Sequence, residues 1–471
     1  MSTPQPPRTL VRGLSLTAAT SVNIANMIGT GIFLKTRVMT CNVGSPWLVL
    51  AVWVVAGLLS LAGALTFAEL AAMMPEAGGE YVFLREAYGR PWGFLYGWTI
   101  FFVARTGSQA ALAVGSAIFL NIVTGGALSH TFFTVPLFGY SIPFGVLQLI
   151  ALGWIAAITA VNCASVSVTG TAASVLTGFK VVALLLIGVG AMTLAYGSWG
   201  HLAMSAAAGA CEGVSMAARG GMAGFGAAML GALWAYDGWD NLTPLSGEVR
   251  NPQRTIPLAF IGAMLVVGAL YVFVNLAYFY VLTPAQIASV PMSSSVATEA
   301  ARRFVGSAAV GLIAMALLAS SVGSLHASVM SNSRVPFAMA GDGLFFRKLA
   351  TITPKSRVPR NALIAQAIWA SLLALSGSYD MLTDYVIFAS LVLYALAIAS
   401  VFVFRRRLPN ATRPYRTWGY PVVPALFLIV TGWLLFNTLW TGPVQAFTGL
   451  GLMAAGIPFY FYWSRKARTR G

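Results

Sequence analysis

Long apolar runs separated by short polar or basic segments dominate the chain. They recur at 16–40, 47–73, 91–123, 143–161, 168–195, 223–246, 256–282, 304–338, 361–376, 382–404, 421–440 and 445–463. A spanning helix needs about 20 apolar residues. None of these runs alternates apolar and polar positions as barrel strands do. The pattern predicts an all-α integral membrane protein with twelve transmembrane helices.

Two of the runs are interrupted. The first is broken by Gly29-Thr30-Gly31 within "ANMIGTGIFLK", and each glycine costs about 1 kcal/mol in a helix interior. The sixth, "GALWAYDGWDNLTPLSGEV", carries Asp237, Gly238 and Asp240 at mid-depth, followed by Pro244. Interrupted spans at corresponding positions of two halves point to a transporter site built on inverted repeats. Spans one to five and six to ten then form two halves of opposite orientation. The predicted organisation is an inner tail (1–13), a first repeat (14–195), a Gly/Ala/Ser-rich outer loop expected to be flexible (196–222), a second repeat (223–404), an inner loop with two further spans (405–463) and a basic inner tail (464–471).

Irregular backbone survives at membrane depth only where protein or a cavity covers it. At the first break the amides of Gly29, Thr30 and Gly31 would open the second half-helix, where the helix dipole favours an anion such as a carboxylate. The first half-helix would end in free carbonyls that favour an ammonium group, and the carbonyls from Trp234 to Asp237 would do the same at the second break. Together these ends describe a receptor for a zwitterion. The competing reading is close helix packing through small residues.

The chain is 58% hydrophobic and 8% charged, with a mean hydropathy of +0.79. Soluble domains carry about 25% charged residues. The net charge of +16 follows topology if both termini are cytoplasmic. Of 28 basic residues, Lys35, Arg37, Arg219, Arg302 and Arg303 fall outside and Arg105, Lys180 and Arg334 within spans, which leaves 20 on the inner side. This is the positive-inside pattern of an inner-membrane protein held by anionic headgroups, and it excludes nucleic acid as the partner. The tail "MSTPQPPRTLVRG" lacks the apolar region of a signal peptide, so span one is expected to be an uncleaved insertion segment. The "PNAT" triplet lies on the inner side and is not a glycosylation site. Cys41, Cys163 and Cys211 show no metal spacing. Cys41 and Cys211 could both lie outside and pair, but free apolar thiols are the expectation. No cofactor or metal is implied. There is no HExxH, GxSxG or P-loop motif, nor the repeated polar rings of a channel, which excludes an enzyme and ATP drive and leaves a channel as a remote alternative.

At the two breaks the chain resembles the amino acid–polyamine–organocation superfamily, and most closely its L-type amino acid transporter branch with the bacterial permeases. "IGTGIFL" and "LWAYDGWDNLTPLSGEVRNPQRTIPLA" carry the likeness, supported by "FAELAAMMPEAGGEYVFLREAYG" at 67–89, "RVPFAMAGDGLFF" at 334–346 and "RPYRTWGYPVVPALF" at 413–427. The resemblance implies the LeuT-type 5+5 inverted-repeat fold and transport of small L-amino acids by alternating access. By position, it implies a substrate site at Met27, Ile28, Gly29, Thr30, Gly31, Trp234, Ala235, Tyr236, Asp237 and Gly238. The amides of residues 29–31 would hold the carboxylate, the carbonyls of Met27, Trp234 and Asp237 the amine, and the Trp234 ring would cap the substrate from outside.

Asp237 leaves three readings open: neutralising a cationic side chain, remaining protonated in a low-dielectric site, or capping a half-helix. Lys180 lies roughly 12–15 Å along span five at 1.5 Å per residue. A charge that deep is a functional residue by default. The resemblance implies that its ammonium takes the place of sodium beside the first break, bonding carbonyls near Ile24 to Ile28. Exchange, uniport or proton coupling then remain. Arg105, mid-span three, reaches either the substrate vestibule or an acid. His326 falls where related members have a small polar residue, and either touches substrate or packs. Glu69, Glu80 and Glu248, with Arg85 and Arg250 nearby, suggest inner-gate ion pairs. The L-type subunits join a single-span partner through a cysteine in the outer loop between spans three and four. Residues 124–142 hold no cysteine, so no covalently linked partner is expected.

Overall fold

A computed structural model describes residues 10–137, 140–291, 294–376, 379–441 and 443–468. The predicted inner tail therefore lies mostly outside the described residues, as do residues 469–471. The helices in chain order are α1 (Leu16–Met27), α2 (Gly31–Val43), α3 (Pro46–Met73), α4 (Glu80–Tyr88), α5 (Arg90–Thr99), α6 (Arg105–Val123), α7 (Val146–Asn162), α8 (Val166–Leu194), α9 (Gly221–Tyr236), α10 (Pro252–Val281), α11 (Pro284–Ala288), α12 (Val296–Val305), α13 (Ala309–Asn332), α14 (Arg334–Gly341), α15 (Arg360–Ser376), α16 (Tyr379–Arg407), α17 (Val422–Thr441), α18 (Pro443–Ala454) and α19 (Gly456–Arg468). A single π turn, Ile100–Ala104, joins α5 to α6.

Among the described residues, seven helical stretches are long and apolar enough to cross a membrane: Pro46–Met73, Arg90–Val123, Val166–Leu194, Pro252–Val281, Val296–Gly341, Phe388–Arg407 and Val422–Trp440. Three shorter apolar helices, Val146–Asn162, Gly221–Tyr236 and Arg360–Leu375, accompany them. The protein is a multi-pass membrane protein. Leu58, Val175, Leu186, Ile429 and Phe436 stay exposed on its outer faces, as an apolar solvent requires, while small and aromatic side chains fill the interior.

The purely helical expectation needs correction at one place. Thr131–Leu137 (β1) and Tyr140–Gly145 (β2) form an antiparallel hairpin between α6 and α7. The β-branched and aromatic residues of "TFFTV" favour an extended chain where no membrane imposes a helix.

The loop 196–222, expected on the outer side and flexible, is pinned. Cys41 and Cys211 form a disulfide with Cα atoms 5.6 Å apart, which corrects the expectation of free thiols. Their separation of 170 positions along the chain hid the pair from the sequence. Arg37 Nη1 donates to the Glu212 carbonyl at 2.8 Å, Asn42 Nδ2 to the Ala218 carbonyl at 2.6 Å, and the Gly220 amide to the Asn42 carbonyl at 2.7 Å. These contacts fasten the loop to the carboxyl-terminal end of α2.

Ion pairs draw the opposite side together, with partners other than those expected from sequence proximity. Glu248 forms a two-pronged, fully buried pair with Arg334 at 2.6 and 2.9 Å, not with Arg250. Glu69 accepts from Arg405 at 3.0 and 2.7 Å and from the Thr417 amide at 2.8 Å. Arg85 pairs with Asp342 and Glu86. Glu80 has no basic partner within ion-pair distance among the described residues. The segment before α1 is strapped to the same side: the Leu14 amide donates to Glu248 and the Arg250 amide to Leu14, at 3.0 and 2.9 Å.

Candidate functional site

The first break separates α1 from α2 over Ile28, Gly29 and Thr30. The last carbonyls of a helix lack intrahelical partners. Here a cation takes them. Lys180 Nζ, 2% exposed on α8, donates to the carbonyls of Ala25 and Ile28 at 2.7 and 2.8 Å and to Ser324 Oγ at 2.8 Å. Ser320 Oγ adds a bond to the Ile28 carbonyl at 2.9 Å. The carboxyl-terminal half-charge of α1 thus faces the amino group of Lys180 from the neighbouring helix. The Gly29 amide turns back to the Met27 carbonyl at 2.8 Å, while α2 starts afresh at Gly31 with its first amides facing out of the helix.

The second break follows α9. Asp237 leaves helical geometry (ψ 142), Gly238 takes φ +99, and a 3-10 stretch, Thr243–Glu248, runs on behind Pro244. The two breaks touch each other. A Cβ on Gly31 would stand 2.6 Å from the Cβ of Ala235, and one on Gly238 would stand 2.7 Å from that of Asn26. Close packing therefore requires both glycines. Gly29 differs: its Cβ would meet only Ser324 Oγ, at an ordinary 3.8 Å, so packing does not explain it. The Tyr271 hydroxyl from α10 lies between the breaks, 2.8 Å from the Met27 carbonyl and 2.9 Å from that of Ala235.

Beside the second break is a buried charge cluster. Arg105 follows the π turn that re-aims α6, the kind of local defect found at functional positions. Its Nη1 donates to Asp237 Oδ2 at 2.9 Å, and its Nη2 lies 2.7 and 2.8 Å from the Asp240 oxygens. Tyr394 of α16 donates to Asp237 Oδ1 at 2.7 Å and also lies 3.0 Å from Asp240 Oδ1. A buried charge is tolerated only when paired and hydrogen-bonded, and this network satisfies that condition for Arg105.

Several expected site residues lie elsewhere. Arg105 is 3% exposed and reaches acids, not the vestibule. His326 is not cavity-lining: its Nε2 lies 3.0 Å from the Thr169 carbonyl and its Nδ1 3.1 Å from Asn162 Nδ2, so it packs against α7 and α8. Tyr236 is turned away, its hydroxyl bonded to the Trp53 carbonyl at 3.2 Å, and Ala235 is buried against Gly31. The Met27 carbonyl is held by Tyr271, and the Trp234 carbonyl by the Asp237 amide at 3.2 Å. Thr30 is buried at the start of α2.

Two hollows flank the breaks. One is a narrow crevice, with room for little more than a water molecule, lined by Trp234, Asp237, Ser60, Ser390, Tyr394 and Phe427, among others. Ser60 and Ser390 present buried hydroxyls there without a hydrogen-bond partner. The second, about 1530 Å³ of space open to solvent, runs between α2, α6, α12 and α13 past Leu34, Phe119, Glu299 and Leu317. The residue 29–31 amides line neither. Tyr271, Ser320, Ser324 and Tyr394 had no sequence signal, because lone hydroxyls on distant spans show no spacing that marks them. Among the described residues no group of three His, Cys, Asp or Glu side chains is placed to hold a metal ion.

Residues 14–462 match the model of a family described as amino acid permease. The serine/threonine exchanger SteT of Bacillus subtilis is 30% identical over 462 residues, covering 97% of this chain and 98% of that protein. The human large neutral amino acids transporter small subunit 2 is 30% identical over 98% of this chain and 82% of its own length. The human cystine/glutamate transporter is 29% identical over 98% and 87%. Such full-length matches, over a membrane-embedded helical frame with two facing breaks, are those of a transporter and not an enzyme. The chain belongs to the amino acid permease family.

Proposed function

We propose that the protein is a sodium-independent exchanger or uniporter of small neutral L-amino acids, working by alternating access. Its frame on this reading is LeuT-type: twelve spans with residues 14–195 and 223–404 as inverted repeats, residues 405–463 as an addition, and both termini on the cytoplasmic side of the inner membrane. The substrate carboxylate meets the amino end of α2 at Thr30 and Gly31, the Gly29 amide being held by the Met27 carbonyl. Its amine meets carbonyls of the two breaks, and Trp234 covers it.

The observation that carries the reading is the mutual contact of two broken segments, one supplying a helix amino end and both supplying carboxyl ends. The Lys180 ammonium supports sodium independence, since a fixed cation already occupies the carbonyls of Ala25 and Ile28. Neutral substrates are favoured over the cationic alternative because Arg105 and Tyr394 already compensate Asp237. The ion pairs and the open vestibule, on opposite sides, match a state closed inside and open outside. The absence of cysteine from residues 124–142 supports a transporter without a covalently attached partner.

Counterflow tests this. Vesicles preloaded with unlabelled amino acid take up label faster than empty ones in sodium-free buffer, and a competition panel of the twenty amino acids names the substrates. A strict sodium requirement overturns the lysine assignment, and flux without counterflow points to a channel.

A further inference from the structure

Glu80, the first residue of α4, is completely buried against the second break. Its Oε1 lies 3.0 Å from Thr243 Oγ1, and its Oε2 has no hydrogen-bond partner. Thr243 Oγ1 also contacts the Asp240 carbonyl. Thr243 has a single hydroxyl proton for these two acceptors, so it donates fully to Glu80 only by leaving the Asp240 carbonyl, and a proton on Glu80 would satisfy both contacts at once. Charge balance points the same way. The groups facing Glu80 are Asp240 in the second break, Arg105 on α6 and Tyr96 on α5, with Asp237 and Tyr394 one bond further on. Three carboxyl groups thus share one guanidinium. Burial, and then the charge of Asp240, push the Glu80 carboxyl up to about 8.

The geometry assigns Glu80 as a proton-binding site, protonated while residues 237–248 pack on α4 and emptied to the inner water when that segment swings away. Each inward cycle then carries one proton with the amino acid, and only an O–H bond is made and broken. The outer supply is the hollow beside Asp237, whose side chain is 16% exposed. Tyr394 bridges Asp237 Oδ1 and Asp240 Oδ1 at 2.7 and 3.0 Å, and Asp240 adjoins Glu80. The assignment rests on the transport reading, keeps its site and its sodium independence, and replaces uniport with proton-coupled uptake.

The test uses the full chain in sodium-free vesicles with a pH-sensitive dye inside, and an amino acid from the counterflow panel. In the wild type, adding substrate acidifies the lumen, and an acid-outside gradient of one pH unit raises accumulation by up to about tenfold. Glu80→Gln abolishes both effects and keeps counterflow, and Glu80→Asp retains both. Counterflow without acidification in the wild type, or acidification that survives in Glu80→Gln, overturns the assignment. No counterflow with any amino acid removes the transport reading, and the proton site with it. A thermal readout in detergent guards against misfolding. A raised folded value favours the folded form fully below about pH 4.5, and the benefit fades as pH rises through about 8. Wild-type melting therefore falls across that window relative to Glu80→Gln, and parallel curves count against the site.

Discussion

The two breaks solve one problem with opposite chemistry. At the first, the exposed groups are main-chain carbonyls, and a side-chain cation, Lys180, comes in from α8 to hold them. At the second, the groups are side-chain carboxylates, Asp237 and Asp240, and the guanidinium of Arg105 comes in from α6. The first break is therefore a backbone device, in which the carbonyls of Ala25 and Ile28 do the binding and the side chains of those two residues do not. The second is a side-chain device that depends on residue identity. The difference teaches where sequence change should matter: near Ile28 through conformation, near Asp237 through charge.

The strongest way to break that contrast is Arg105→Met. It strands two carboxylates at a buried site, and removing one partner of a buried pair costs about 3–5 kcal/mol. The expected result is a much lower melting temperature in detergent, with the surviving transport shifted toward lysine and arginine because Asp237 is freed to pair with them. Competition curves for arginine against alanine read the shift, and an unchanged ratio counts against compensation of Asp237. Lys180→Met comes next. It leaves the Ala25 and Ile28 carbonyls to serine hydroxyls, at about 1–3 kcal/mol for each buried group left short. Uptake in sodium-free vesicles falls to background, and retained uptake would deny the lysine its role. Gly31→Ala against Gly29→Ala sharpens the backbone side. The first overpacks Ala235 and costs about 1–3 kcal/mol, whereas the second is tolerated in stability yet lowers substrate affinity if the ligand approaches Gly29. Tyr271→Phe is the smallest, about 0.5–1.5 kcal/mol for one hydrogen bond, read as a modest drop in melting temperature. Asp237→Asn reduces alanine and arginine uptake alike if Arg105 already balances that carboxylate, and a selective loss of arginine uptake would restore the cationic reading.

What was legible in the sequence was whatever a local rule can mark. Gly29-Thr30-Gly31 and Asp237-Gly238 interrupt apolar runs, so both breaks could be placed from residue type alone. The depth of Lys180 followed from counting along a helix. Tertiary approach left no such trace. Nothing near Glu248 or Arg334 announces that they meet, since they stand 86 positions apart, and the nearer Arg250 misled. Tyr394 reaches Asp237 across 157 residues. The glycine and serine composition of 196–222 read as mobility, yet hydrogen bonds to Asn42 and Arg37 and a disulfide pin that segment. His326, polar and deep, had the profile of a ligand-binding residue and proved to be a clasp between helices.

The two broken segments are fastened together at three heights. Leu14 bonds to Glu248 and Arg250 at one end, Gly31 nests on Ala235 in the middle, and Asn42 accepts from Gly220 at the other. A pair latched at top, waist and foot cannot scissor, and it can only tip as a single lever. On the proposed alternating-access cycle, opening one face of the membrane then shuts the other through the rigidity of that lever alone, with no signal relayed between separate doors.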